Sequence, residues 1–374
     1  MPFISLLLVG ALVSSAQADS RTRAAELYER AIQLEAKGEP GSALAVLWEA
    51  AGLDPANSDI QNRLGEGLER VGAIDAAIEA YRAAVKARPA FRKAVNNLIL
   101  ALVSAGLGQE AIALARAQVD AAPADPDRHF TLGLAQSEPD IQGAIASFRR
   151  VLALAPRHTL ARYNLALALK RADRLQEAID ELAQVLAVEP RPEAHYQLGV
   201  VYLHRGDLDR AASSLRAAIA ARPDYADAYH TLGAVLQARR DWTGAATALR
   251  RAIALRPDLA GAHDTLARVL RSSGDEPGAR THAAEAERLR ERTRLEQEAR
   301  TWTAVGTGRL AAGDAVGAVD AFRRATATLD SYAPAHYQLG LAFHRLGERD
   351  AARSAFDRAR ALNPRLVPPA SIGR

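Results

Sequence analysis

Residues 226–259 carry their apolar side chains in two helical stripes. Ala226, Tyr229, Leu232, Gly233 and Leu236 recur at intervals of three and four, which places them on one face of a helix. Asp241 marks a polar turn, and Ala245, Leu249, Ala252, Ile253 and Leu255 form the second stripe. Arg256-Pro257-Asp258 ends it, because proline lacks an amide hydrogen and disfavours helix in the residue before it. The predicted element is a helix hairpin.

The pattern then repeats. Proline returns at Pro55, Pro89, Pro123, Pro156, Pro190, Pro223 and Pro257, in steps of 33 or 34 residues. A fixed period of this length marks stacked supersecondary units, each too small to bury its apolar face alone. Superposed, the repeats keep a small residue at the eighth position: Ala31, Gly65, Gly133, Ala166, Gly199, Gly233, Ala267, Gly306 and Gly340. The twentieth is alanine throughout: Ala43, Ala77, Ala111, Ala144, Ala178, Ala211, Ala245, Ala279, Ala318 and Ala352. Small residues permit close helix crossing, so positions eight and twenty are expected to form each hairpin's internal contact. Gly38, Gly72, Gly106, Gly206, Gly274, Gly313 and Gly347 fall at the turn, where a left-handed residue stops the first helix.

With Leu-Gly at positions seven and eight (Leu132-Gly133, Leu198-Gly199, Leu232-Gly233, Leu339-Gly340), a large apolar residue at twenty-four and proline at thirty-two, the chain resembles the tetratricopeptide repeat family. The resemblance spans residues 24–366 in ten repeats. It implies an all-α fold, an α-solenoid in which antiparallel helix hairpins stack into a right-handed superhelix. It also implies a concave groove lined by first helices, at positions two, five, six, nine, twelve and thirteen. The candidate groove residues are Asn97, Phe130, Tyr163, Asn164, Tyr196, Gln197, His230, Thr231, Tyr337 and Gln338. An amide can both donate to and accept from an extended peptide backbone, and an adjacent ring can stack on its side chains. Such rings can equally serve as packing between neighbouring first helices. Lys170, Arg171, Arg271 and Arg345 form a candidate basic rim, suited to an acidic segment or an anionic polysaccharide. Cations also suit a solvated helix C-terminus, so the rim has a second reading.

Departures from the pattern are local. Ile99 replaces the small eighth residue of the third repeat, which predicts a splayed hairpin. The fourth repeat is one residue short around Ser137 and Asp140, which predicts a tightened turn. The eighth and ninth repeats lack their proline, and five residues are inserted before Pro364. Residues 280–300 read as one long charged helix with i,i+4 pairs such as Glu296 and Arg300. The expected organisation is a signal peptide at 1–18, a linker at 19–23, eight repeats over 24–293, a helical junction at 294–298, two repeats over 299–366 and a tail at 367–374.

Composition narrows the function. The basic and acidic residues, 48 and 44, are interspersed rather than clustered, which argues against a nucleic-acid partner. With no cysteine there is neither a disulfide framework nor a thiolate metal site. Residues 3–13 are apolar except Ser5 and Gly10, and Ala16-Gln17-Ala18 is the small-x-small pattern of a signal-peptidase site. Cleavage after Ala18 predicts a periplasmic or secreted protein with no transmembrane span in the mature chain. Gly306-Thr307-Gly308-Arg309-Leu310-Ala311 has dinucleotide-fingerprint spacing but no preceding strand, so no cofactor is expected. His129, His195, His263 and His336 share the fourth position as packing variants rather than metal ligands, while His204 and His344 fall near the concave rim. The expected function is a non-enzymatic, exported scaffold that binds a protein or peptide in envelope assembly or secretion. The alternative is an accessory subunit of exopolysaccharide export, and the C-terminal face is a candidate homodimer contact.

Overall fold

A computed structural model describes residues 3–366, with side chains from residue 18 onward except at 311. Among them the chain is an all-α solenoid of nineteen helices with no strand. The first three hairpins pair α1 (Phe3–Ala36) with α2 (Pro40–Leu53), α3 (Ser58–Arg70) with α4 (Ile74–Ala87), and α5 (Arg92–Ser104) with α6 (Gly108–Ala121). The next four pair α7 (Pro126–Gln136) with α8 (Ile141–Leu154), α9 (Thr159–Arg171) with α10 (Leu175–Val188), α11 (Pro192–His204) with α12 (Leu208–Ala221), and α13 (Ala226–Ala238) with α14 (Trp242–Leu255). Helix α15 (Ala260–Ser272) leads into α16 (Glu276–Ala311), which serves both the eighth and ninth hairpins. Then come α17 (Ala315–Thr328), α18 (Ala333–Arg345) and α19 (Arg349–Leu362). Two compact units result: Met1–Ala111 with Leu295–Arg374, and Ile112–Arg294.

Each hairpin is closed by the same local chemistry. All seven turn glycines have φ between 77 and 88°. Hairpins 5 and 7 have no glycine there, and Asp173 and Arg240 adopt the left-handed conformation instead, at φ 58 and 61°. Five second helices begin on an aspartate: Asp140, Asp207, Asp241, Asp275 and Asp314 each accept the N–H three residues on, at 2.8–3.1 Å.

The expected contact between positions eight and twenty is present at Gly199, where a Cβ would lie 3.3 Å from the Ala211 carbonyl, but the nearest neighbour of position eight is a different residue. A Cβ on Gly65 would lie 2.4 Å from the Tyr81 ring, on Gly133 2.6 Å from Phe148, and on Gly340 2.8 Å from Phe356, so the partner is position twenty-four. Helical side chains lean toward the N-terminus, so the ring one turn beyond the alanine reaches back over it and fills the space the glycine leaves. The alanines at twenty are fully buried beneath. In the second unit these contacts merge into two apolar clusters, around Phe148, Leu165 and Leu182 and around Leu215, Leu249 and Leu266.

The irregular repeats differ in how they adapt. Ile99 is fully buried, not left in a gap. Hairpin 4 has a first helix of 11 residues against 13 in its neighbours, and Gln136 donates to Asp140 and accepts from Ser147 across the tightened turn. The charged stretch 280–300 lies inside α16, which is longer at both ends, and Glu285–Arg288, Glu287–Arg290 and Glu291–Arg294 pair within it at i,i+3. Leu366 folds into the cluster around Phe322 and Phe356. The tail 367–374, with Val367, lies outside the described residues. Among the described residues no helix is long and apolar enough to cross a membrane.

Candidate functional site

In the second unit, successive first helices carry Phe130 on α7, Tyr163 and Asn164 on α9, Tyr196 and Gln197 on α11, and His230 and Thr231 on α13, all half-buried. The one-repeat stagger makes them a row in which Tyr163 and His230 reach the first helix of the next hairpin. Phe130 stacks on His158 at 5.0 Å between ring centres, and Tyr196 on Tyr225 at 5.1 Å. Lys170 donates to Gln197 Oε1 at 2.7 Å, and Gln197 also approaches the Tyr163 hydroxyl. His230 Nε2 lies 3.5 Å from Thr265 Oγ1. Asn164 spends its amide on the Leu160 carbonyl at 2.8 Å, leaving its own carbonyl for other partners.

Burial sets the electrostatics of this row. It raises the Tyr163 hydroxyl and pushes Tyr225 up to about 12, so both remain neutral donors at ordinary pH. It lowers His230, and it lowers Lys170 with Arg171 adding repulsion. The row is therefore a set of rings, amides and hydroxyls beside one half-buried amine. It can stack and exchange hydrogen bonds; among the described residues no cluster of three His, Asp or Glu could hold a metal ion.

Three candidate residues lie elsewhere. Asn97 donates to Asn62 Oδ1 at 3.0 Å and to Glu66 Oε1 at 3.2 Å, so it belongs to a closed polar network with Lys93 and Arg63 in the first unit. Tyr337 and Gln338 are 0% and 4% exposed, which corrects their placement on an open groove: Tyr337 packs edge-on to Phe356 and faces Trp48. Two of the four rim cations lie near an acid, Arg171 at 3.8 Å from Glu138 and Arg271 at 3.7 Å from Glu276. The other two donate to neutral oxygens, Lys170 to Gln197 and Arg345 to the Leu310 carbonyl.

A family model described as the tetratricopeptide repeat matches residues 62–126, 139–190 and 170–226, and a second model of that description matches 333–366; together they cover half of the chain. The chain belongs to the tetratricopeptide repeat family. Among solved structures it is similar to a tetratricopeptide repeat protein from Parabacteroides merdae, at 18% identity and a TM-score of 0.58 over 67% of this chain and 99% of that one. Other similar structures are MamA from Desulfovibrio magneticus (23% identity, TM-score 0.41, 45% of this chain and 95% of that one) and yeast Tom70 (14%, 0.40, 91% and 92%). At these identities the likeness is one of fold. Comparison with curated proteins gives no match.

Two features of these tetratricopeptide repeats escaped sequence reasoning. The ring partners His158 and Tyr225 occupy the last residue of a repeat, outside the lining positions; the recurrence of Phe91, His158, Tyr225 and Tyr332 there was the available signal. The fourth-position histidines are also more than packing variants. His129, His263 and His336 each hold the backbone carbonyl six residues earlier, at 2.8, 3.1 and 2.9 Å. Gln61 and Arg162 make the same bond to Pro55 and Pro156. In these repeats position four satisfies a backbone carbonyl of the turn that precedes the first helix.

Proposed function

We propose that this protein is a non-enzymatic scaffold that holds a polypeptide segment along the first helices of its second unit. The observation that carries the reading is the row of half-buried rings and amides from Phe130 to Thr231. An extended chain offers backbone donors and acceptors at a regular spacing, and Asn164, Gln197 and Thr231 can answer them while Phe130, Tyr163 and Tyr196 flank its side chains. The pairing of Arg171 and Arg271 with acids favours a polypeptide over an acidic polymer. Alanine at Tyr163, Asn164, Tyr196 and Gln197 together is expected to weaken capture of the partner at least tenfold while the circular dichroism spectrum stays helical. Retention of every partner by that variant would refute the groove.

The reading extends to export and to an adaptor role in envelope assembly or secretion. Its support is the apolar stretch at 3–13 followed by Ala16-Gln17-Ala18. The expected mature N-terminus is Asp19, read by N-terminal sequencing or intact mass; an uncleaved chain in the cytoplasm would overturn the localisation.

A further inference from the structure

Within the first unit, Tyr337 and Gln338 at lining positions five and six of hairpin 10 are buried, while Arg300, Ala304, His344 and Arg345 at other lining positions of hairpins 9 and 10 stay exposed. Tyr337 and Gln338 are 0% and 4% exposed, whereas Tyr196 and Gln197, in the same Tyr-Gln-Leu-Gly setting of hairpin 6, are half-buried. The cover is supplied by hairpins 1 and 2. Trp48 of α2 faces Tyr337, and Val71 packs against the cluster that contains Tyr337, Phe343 and Phe356. The charge of Arg300, which hydrogen-bonds the Tyr332 hydroxyl, is felt by Asp75 at the start of α4 without an ion pair between them.

This contact is not packed like the hairpin cores. A cleft of 520 Å³, partly open to solvent, remains in it, lined by Trp48, Leu53 and Leu64 from one side and by Leu310, Gln338 and Leu341 from the other. Protein interiors hold few voids larger than a water molecule. The Trp48 indole and the Tyr337 hydroxyl are buried against each other there, with no further polar partner among the described residues. Two faces that leave such a cleft between them describe a docked surface, one that exchanges, rather than a core.

We propose that the concave face of hairpins 9 and 10 is a second binding surface, which the outer helices of hairpins 1 and 2 occupy in cis as a releasable clasp. The seated helices define the partner chemistry: an apolar helix face centred on an indole, with a carboxylate at its edge within the field of Arg300. A partner helix of that kind would compete with α2 for the same place. This surface is separate from the row in the second unit, and it stands whether or not that row binds a polypeptide.

The absence of cysteine makes the clasp directly measurable. In Gln338→Cys, maleimide labelling under native conditions reports opening, because the position is buried in the clasp and not in a hairpin core. Adding Trp48→Ala is expected to speed labelling at least tenfold, with no change at a Tyr196→Cys control. A synthetic peptide of residues 40–53 should then slow labelling again, and the same peptide carrying Trp48→Ala should not. If Trp48→Ala lowers the helical signal, Arg300→Ala takes its place with the same tenfold requirement. Labelling that neither substitution accelerates, or that ignores the peptide, overturns the proposal.

Discussion

At the scale of single residues, the turn conformation is the most demanding constraint. Seven hairpins use glycine at the left-handed position, while Asp173 and Arg240 adopt it with a Cβ. For an L-residue other than glycine this conformation costs roughly 1–2 kcal/mol, less for aspartate, whose short side chain can bond locally. Arg240→Gly is therefore expected to stabilise the chain by about 1 kcal/mol, less the backbone entropy glycine adds to the unfolded state, and Asp173→Gly by less. Thermal unfolding checks this; a lower melting temperature for Arg240→Gly would show that the arginine side chain compensates for its backbone. The turn glycines were readable from the repeat, because the period aligns them. The substitute residues were not, since nothing in the local sequence says that a missing glycine leaves the conformation in place. Packing of both helices imposes it.

At the scale of elements, α15 and α16 are joined by a histidine pair whose protonation can be deduced. His263 Nε2 lies 3.1 Å from the Pro257 carbonyl, which only accepts, so Nε2 carries hydrogen. In the neutral ring Nδ1 then accepts, and His282 Nδ1, 3.0 Å away, donates. Burial, the neighbouring His263 and Arg250 lower His282, with Asp275 and Glu285 opposing them. A histidine lowered in the folded state binds fewer protons there than when unfolded, so stability is lost as pH falls through the unfolded value toward the folded one. His195 and His230, also lowered by burial, act in the same direction. The melting temperature is expected to fall between about pH 7.5 and 5.5, and His282→Gln should flatten that slope. An unaltered slope would mean that the pair does not contribute. The sequence places the two histidines 19 residues apart on separate helices, and only the hairpin crossing brings their rings together.

For the whole molecule, the charge distribution decides between partners. The composition suggested a basic rim, yet Arg171, Arg271 and Arg345 are engaged within the chain. Many of the remaining cations likewise bridge one helix to another, as Arg88 does to Asp59 and Arg222 to Glu193. Partner binding at the second unit is therefore expected to change less than about threefold between roughly 50 and 200 mM salt. A steep fall in that interval, measured by titration, would favour an anionic polymer instead. Ion pairing of this kind is invisible to composition, because 48 basic and 44 acidic residues are compatible with either a paired or a segregated surface.

The repeat alone carried the architecture: apolar stripes at helical spacing, alanine at twenty and glycine at the turn leave a helix hairpin as the only arrangement that buries each stripe, and ten copies must stack. What each hairpin face meets was beyond it. The same lining position is half-open at Tyr196 and sealed at Tyr337, although both residues are tyrosine in the same Tyr-Gln-Leu-Gly setting. The difference arises from contacts between helices more than two hundred residues apart, such as Trp48 on Tyr337. Local pattern reports which face of a helix must be buried; the tertiary structure alone determines whether a neighbour, a partner or a distant part of the same chain buries it.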